Sequence, residues 1–365
     1  MREAWRRCLD PRDRPAPPLK WTSAAPPGDR RELRRWRAAV GPARVGAAGE
    51  RGVPGAGVSR EGLPGAEPGG RRLRVVSWNV RVGGGAVRSL WGRLAGRGGI
   101  AAGCPVVLLL QEVFAGGPHL PAVAAGSAWA ERISDRPPGE DRTDIVSFAG
   151  ETGLHLVYVP SMRNGRPDDG GPPEDRGNAI LANVPLSSPQ AIELPFERQR
   201  RVAVAATVAF GAGTVAFCSV HLDNRAPWTR MWRSLGVARR RQMAGLLTVF
   251  AGPEAEDAPG RPDAYALGGD FNTWFRGRAE STYRVARKRF PQPERPDSAP
   301  THRLEIGGWL RHSDHLLFRL PAGWRGECRR LDHAFGSDHY PLAGTVERRT
   351  GSGSAPRTDL SVNRG

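Results

Sequence analysis

The chain has 365 residues, room for one large domain or two ordinary ones; its 39% hydrophobic content can support a core, but no window approaches the roughly 20 apolar residues of a membrane span. Its formal net charge is +17, almost all of it arginine because Lys20 and Lys288 are the only lysines; the excess suits a polyanionic partner, although a coding bias toward Arg, Ala, Gly and Pro also produces basicity. The four cysteines, Cys8, Cys104, Cys218 and Cys328, show no CxxC spacing, which argues against a cysteine zinc centre or a disulfide framework; Cys104 and Cys218 lie in or beside apolar runs and read as buried thiols.

Residues 1–70 read as a disordered arm rich in Pro, Gly, Ala and Arg, with 14 basic and 8 acidic residues. A short helix fits "DRRELRRWRAAV", where Leu33, Trp36 and Val40 share one face. The opening residues lack the apolar stretch of a secretory signal, so a cytoplasmic protein is expected. A folded domain is expected over 71–348 and a flexible tail over 349–365.

Within the domain, "LRVVSWNV" reads as a β-branched strand and "AVRSLWGRLAG" as a helix. The continuous apolar run "PVVLLLQEV" suits a central strand buried on both faces. "DIVSFAG", "LHLVYVP" and "RGNAILANVPL" read as further strands, and "RRVAVAATVAF" with "TVAFCSVHL" as a hairpin. A long amphipathic helix follows over "WTRMWRSLGVARRRQMAGLLTVF", then the strands "DAYALGGDFN", "DHLLFRL" and "YPLAGTVE". Many hairpin-linked strands with few helices imply mixed sheets packed face to face with helices outside.

Polar residues recur at strand ends: Asn79, Gln111 and Glu112, His221, Asp270 and Asn272, Asp314, and the pair Asp338–His339. Each alone passes for a turn residue or a surface acid. Together, on one edge of packed sheets, they converge. Hard oxygen donors without cysteine suit Mg²⁺ or Mn²⁺. A neighbouring carboxylate can orient water, and a protonated imidazole whose tautomer a second acid fixes can stabilise a phosphoryl oxygen or protonate a leaving group.

The motifs "SWNV", "LLQEV", "RGNAIL", "SVHLD", "GGDFN", "RHSDHLLF" and "GSDHYPL", in this order over about Leu73 to Val346, resemble the endonuclease/exonuclease/phosphatase superfamily, the DNase I-like metal-dependent hydrolases. The resemblance implies an α/β fold, a four-layer α/β/β/α sandwich of two mixed sheets flanked by helices. It implies metal binding by Glu112 with Asn79 beside it and Asp338 close by. It implies catalytic roles for Asp270 (water), Asn272 (the scissile phosphate), His339 paired with Asp314, and a second histidine, His221, in the position used by deoxyribonuclease, sphingomyelinase and many phosphatase branches. Asn178 lines the site, and Asp175 is a looser match for a residue orienting His221.

For the substrate, the basic residues Arg225 and Arg241 of the long helix, and the neighbouring "ERQRR", suit a phosphate backbone. The reading is a Mg²⁺- or Mn²⁺-dependent phosphodiesterase acting on nucleic acid. A phosphomonoesterase or phospholipid hydrolase of the same fold is the alternative, and a catalytically silent binding protein a third. No obligate protein partner is evident.

Overall fold

The apolar runs of the sequence become, in the computed structural model of the protein, the strands of two stacked sheets. The structure describes residues 17–46, 71–96, 104–117, 120–121, 142–164, 173–223, 236–252, 260–273, 277–303 and 310–348. One sheet has six strands: β1 (Lys20–Ser23), β7 (Ser187–Glu193), β8 (Val202–Phe210), β9 (Gly213–His221), β10 (Ala264–Asp270) and β13 (Asp314–Arg319), in that spatial order. The other has seven: β14 (Trp324–Arg330), β15 (Leu342–Arg348), β3 (Arg72–Asn79), β4 (Val106–Gly116), β6 (Glu174–Ala182), β5 (His155–Asn164) and β2 (Arg44–Gly46). The pairs β3–β4, β9–β10 and β1–β7 are parallel and the others antiparallel, so both sheets are mixed. A separate hairpin joins β11 (His302–Arg303) to β12 (Leu310–Arg311).

Alternation along the strands sorts their side chains into three cores. Leu73, Val75, Leu109, Ile180, Val204, Phe217, Ala266 and Phe318 meet between the sheets. The opposite face of the seven-stranded sheet packs on α2 (Val87–Ala95) and α3 (Ile145–Thr152) through Leu90, Trp91 and Phe148. The opposite face of the six-stranded sheet packs on α4 (Val237–Ala251) and α5 (Ser281–Arg289) through Met243, Leu246, Phe250, Tyr283 and Ala286. The result is the expected four-layer α/β/β/α sandwich. Among the described residues no helix is long and apolar enough to cross a membrane. Cys218 is buried, whereas Cys104 is only half-buried.

Two expectations need correction. "DIVSFAG" is a helix, not a strand. The Asp144 carboxylate caps it, accepting from the Val146 and Ser147 amides at 2.9 Å each, and Gly153 ends it in the left-handed conformation at φ 66°. These terminal signals outweigh a short apolar run whose period is ambiguous.

The arm expected to be disordered through Gly70 is, over residues 17–46, built into both sheets. β1 extends the six-stranded sheet beside β7, and β2 extends the seven-stranded sheet beside β5. Between them α1 (Arg30–Ala38) buries Leu33 and Trp36, with the Trp36 ring 6.1 Å from that of Phe196. Composition hides this because the stabilisation comes from pairing unsatisfied backbone groups on open sheet edges. Residues 1–16, 47–70 and 349–365 lie outside the described residues.

Candidate active site

The strand-end polar residues continue the inward-facing rows of the core. In β3, Leu73 and Val75 are followed on the same face by Ser77 and Asn79; in β9, Val215 and Phe217 by Ser219 and His221; in β10, Ala264 and Ala266 by Gly268 and Asp270. Register then sets two rows side by side. His221, Asp270 and Asp314 are partners across β9, β10 and β13. Asn79, Gln111 and Asn178 are partners across β3, β4 and β6.

Hydrogen bonds stitch the rows together: Asn79 Nδ2 donates to Asp270 Oδ2 at 3.1 Å, and Gln111 Nε2 to Ser219 Oγ at 2.9 Å. Gly268 permits this approach. A Cβ there would sit 2.8 Å from Leu109 Cδ1 and 2.9 Å from the Ser77 side chain.

Asp270 is the hub. Its Oδ2 lies 3.6 Å from His221 Nε2 and 3.8 Å from His339 Nε2, while its Oδ1 accepts the Asn272 amide at 2.8 Å. Burial, helped by the adjacent Asp314 charge, pushes the Asp270 carboxyl up to about 6.

Asp314 Oδ2 holds His339 Nδ1 at 2.8 Å, which turns His339 Nε2 toward Asp270. Burial alone would lower the His339 pKa, but Asp314, Asp270 and Asp338 together raise it to about 10, so this imidazole is a cation at neutral pH. His221 is its opposite. Burial first, then the positive charges of Arg201 and Arg176, hold its pKa well below the usual range and keep it neutral.

The "GSDH" turn is set by Ser337, whose Oγ donates to the Asn79 carbonyl at 2.8 Å and accepts the His339 amide at 3.1 Å. Trp78 Nε1 holds the His339 carbonyl at 2.9 Å. Asp338 therefore points beside His339. Burial would raise its pKa, but His302 and His339 overcome that and lower it to about 2.

Glu112 occupies a bulge in the β4–β6 ladder at φ 52°, a conformation that strains a non-glycine residue. The bulge re-aims a half-exposed carboxylate toward the mouth, with Oε1 3.6 Å from His221 Nδ1.

Of the residues singled out from sequence, Asn79, Glu112, His221, Asp270, Asp314, Asp338 and His339 therefore meet at one end of the sandwich. Asn272, at φ 52°, lies two residues after Asp270, and its Nδ2 donates to the Leu222 carbonyl at 2.9 Å. Asn178 is buried in the same row, with Nδ2 on the Val202 carbonyl at 2.6 Å.

Arg241 is not in the cluster. It is exposed on α4 and pairs with Glu197 at 2.9 Å and Asp29 at 3.2 Å. Asp175 does not orient His221; it accepts the Gly41 amide at 2.6 Å and lies 3.6 Å from Arg163. Arg225 lies outside the described residues.

Among the described residues, two sets of three His and Asp side chains bring possible ligand atoms close together, and both share His339. His302, Asp338 and His339 form one set, and Asp270, Asp314 and His339 the other. Sequence reasoning missed His302. Its ring stacks on His339 with centroids 3.9 Å apart and planes 13° apart, and its Nε2 is 3.6 Å from Asp338. An antiparallel bridge between His302 and His339 aligns the two rings. The adjoining Thr301 is also tied to the site, its Oγ1 accepting the Asp314 amide at 3.0 Å, but no sequence pattern marks either residue.

A sequence model of the Endonuclease/Exonuclease/phosphatase family matches residues 76–354. Among solved structures, an endonuclease/exonuclease/phosphatase from Beutenbergia cavernae has 17% identity and a TM-score of 0.50, covering 78% of this chain and 74% of that one. An endonuclease/exonuclease/phosphatase family protein from Leptotrichia buccalis has 15% identity and a TM-score of 0.50, covering 75% of this chain and 99% of that one. At these identities the likeness is one of fold. Comparison with curated protein sequences gives no match.

Proposed function

The chain belongs to the Endonuclease/Exonuclease/phosphatase family, and from that premise we propose that it hydrolyses phosphodiesters in nucleic acid by in-line attack of water, with Mg²⁺ or Mn²⁺ as cofactor. The observation that carries this reading is the convergence of Asn79, His221 and His339 on one carboxylate oxygen of Asp270, with Asp314 behind His339. Asp270, with a pKa near 6, is ionised at neutral pH yet basic enough to take a proton from water. Cationic His339 offers its Nε2 proton to a phosphoryl or leaving oxygen. Asp314 fixes the tautomer that makes this possible, and the stacked His302 ring holds the His339 plane. Neutral His221 can donate or accept on the opposite side.

Glu112, Asn79 and Asp338 would hold the ion. The donors are hard oxygens, and the bulge keeps the Glu112 carboxylate at a strained φ with the His221 imidazole 3.6 Å away. When bound, such an ion supplies Lewis-acid charge to a phosphoryl oxygen. The net charge of +17 supports a polyanionic substrate, for which activity falls steeply with added salt.

The test is nicking of supercoiled plasmid by the full chain, with Mg²⁺ or Mn²⁺ and with chelator, beside His339→Ala. Metal-dependent nicking that falls by roughly 10³-fold or more in the variant is expected. Hydrolysis of a generic phosphoester without nicking would overturn nucleic acid as substrate and favour a small phosphate or lipid. Undiminished nicking by a folded His339→Ala protein would overturn the site.

A further inference from the structure

Arg201 stands one residue before β8, where the Val202 carbonyl receives Asn178 Nδ2 at the mouth of the site. Its residue is only 5% exposed. Yet among the described residues its Nε is buried with no hydrogen-bond partner, and its guanidinium makes one bond, from Nη2 to the Gln199 amide oxygen at 3.1 Å. Among the described residues no carboxylate pairs with it.

The residue before it shows what the fold does with a structural cation. Arg200 is wholly buried, is gripped by Glu193 Oε1 at 3.0 and 2.8 Å, and donates to the Pro160 carbonyl at 2.9 Å. A buried guanidinium without a counter-charge is costly, and among the described residues no carboxylate offsets that cost at Arg201.

A second cation shares its neighbourhood. Arg176 lies two residues before Asn178 on the same face of β6, and its Nη2 is 3.1 Å from the Met162 sulfur. Both positive charges act on the His221 imidazole, and the bond from Asn178 Nδ2 to the Val202 carbonyl ties the start of β8 to the polar row that ends at the site. Asp314, Asp338 and His302 gather around His339, while Glu112 Oε1 and Asp270 Oδ2 each lie 3.6 Å from His221. A planar fork of N–H donors held beside a catalytic imidazole matches the geometry of phosphate oxygens.

We propose that Arg201, with Arg176 beside it, is an anion-binding position that takes a non-bridging phosphate oxygen of the substrate. The assignment rests on the phosphoester reading above and specifies it: the substrate presents phosphate charge both to the carboxylate cluster of the site and to this guanidinium. The receiving phosphate is either the scissile one or its neighbour along a strand.

The test reads binding without turnover. Thermal unfolding of the full chain is followed in chelator, with and without inorganic phosphate, for wild type and Arg201→Met. Phosphate is expected to raise the wild-type midpoint in a concentration-dependent way. Arg201→Met keeps the volume and removes the uncompensated charge, so without phosphate its midpoint should exceed wild type by about 2 °C or more, and phosphate should no longer move it.

A midpoint below wild type together with an unchanged phosphate response would make Arg201 a structural cation and overturn the proposal. Should Arg201→Met fail to fold, Arg201→Lys keeps the charge but loses the fork; an undiminished phosphate response in that variant overturns the proposal equally.

In kinetics, KM for an oligonucleotide should rise roughly 10- to 100-fold in Arg201→Met. An equal rise on bis(4-nitrophenyl) phosphate, which has one phosphate, identifies the scissile group as the ligand; a rise confined to the oligonucleotide identifies its neighbour. A protein inactive on every phosphoester but still stabilised by phosphate through Arg201 would overturn the catalytic reading and leave the anion site standing.

Discussion

Two neighbouring regions of the same sandwich bury charge in opposite ways. At the edge where the N-terminal segment docks, two buried cations meet carboxylates: Arg200 with Glu193 at 2.8 Å and Arg163 with Asp175 at 3.6 Å. At the strand-end mouth the pairing is lopsided. Asp270, Asp314 and Asp338 crowd around His339, and among the described residues Asp314 Oδ1 is buried without a hydrogen-bond partner and no carboxylate pairs with Arg201. A cluster of paired charges holds a fold together. A cluster with uncompensated charges costs stability and persists where chemistry needs it.

The largest test of this contrast is Asp314→Asn. The change is isosteric and sits where the mouth concentrates charge. It removes the carboxylate that contributes most to raising the His339 pKa toward 10. The sign follows: His339 then loses its proton at lower pH, so the alkaline limb of the kcat/KM profile moves toward neutrality. Turnover should fall roughly 10³-fold because the imidazole also loses its fixed tautomer. Thermal stability should change little, since one of the crowded acids is gone. A profile unmoved on its alkaline side would show that His339 does not act as the cation.

The mirror experiment is Glu193→Gln at the docking edge. Arg200 would remain wholly buried with carbonyl bonds only, at 2.9 Å to Pro160 and 3.3 Å to Ser161. Breaking one side of a buried pair should cost about 3 kcal/mol of stability, seen as a lower urea midpoint, while kcat per folded molecule stays within about twofold. A stable variant would mean that this edge is no better compensated than the mouth.

The mouth was far more legible in the sequence than the edge. Asn79, His221 and Asp270 each end a strand on the face that the preceding apolar residues had already marked as inward, so their convergence follows from period-two alternation and ordinary register. Glu112 stood out by chemistry, although its aim depends on a bulge that no pattern announced.

His302 was invisible because it sits in a two-residue strand with no apolar alternation around it, and it reaches His339 through an isolated bridge and ring stacking that only the fold creates. Arg200 and Arg201 look identical in "ERQRR", and only three-dimensional pairing separates a structural cation from an uncompensated one. The docking of residues 17–46 rests on backbone hydrogen bonds to two sheet edges, which side-chain composition does not encode. The capped helix over Ile145–Thr152 was hidden by an apolar run too short to distinguish strand from helix.

The smallest expected effect tests the edge at its weakest pair. Asp175 accepts the Gly41 amide at 2.6 Å and sits 3.6 Å from Arg163, but burial outweighs both and raises its pKa from 3.8 to about 6. Between those values the folded chain holds a proton that the unfolded chain has lost, so this group makes stability fall as pH rises from about 4 to about 6. The shift corresponds to about 3 kcal/mol across that window. Asn at 175 cannot titrate, and it retains an oxygen for the Gly41 amide. It also leaves Arg163 without a charge partner, which offsets most of the gain near neutrality, so the net change at pH 7 should be about 1 kcal/mol or less. The informative quantity is therefore the slope: urea midpoints of wild type and Asp175→Asn, measured from pH 4.5 to pH 7.5, should show wild type losing ground to the variant as pH rises. Parallel curves would mean that Asp175 is ionised throughout, and that this edge compensates its charges as completely here as it does at Arg200.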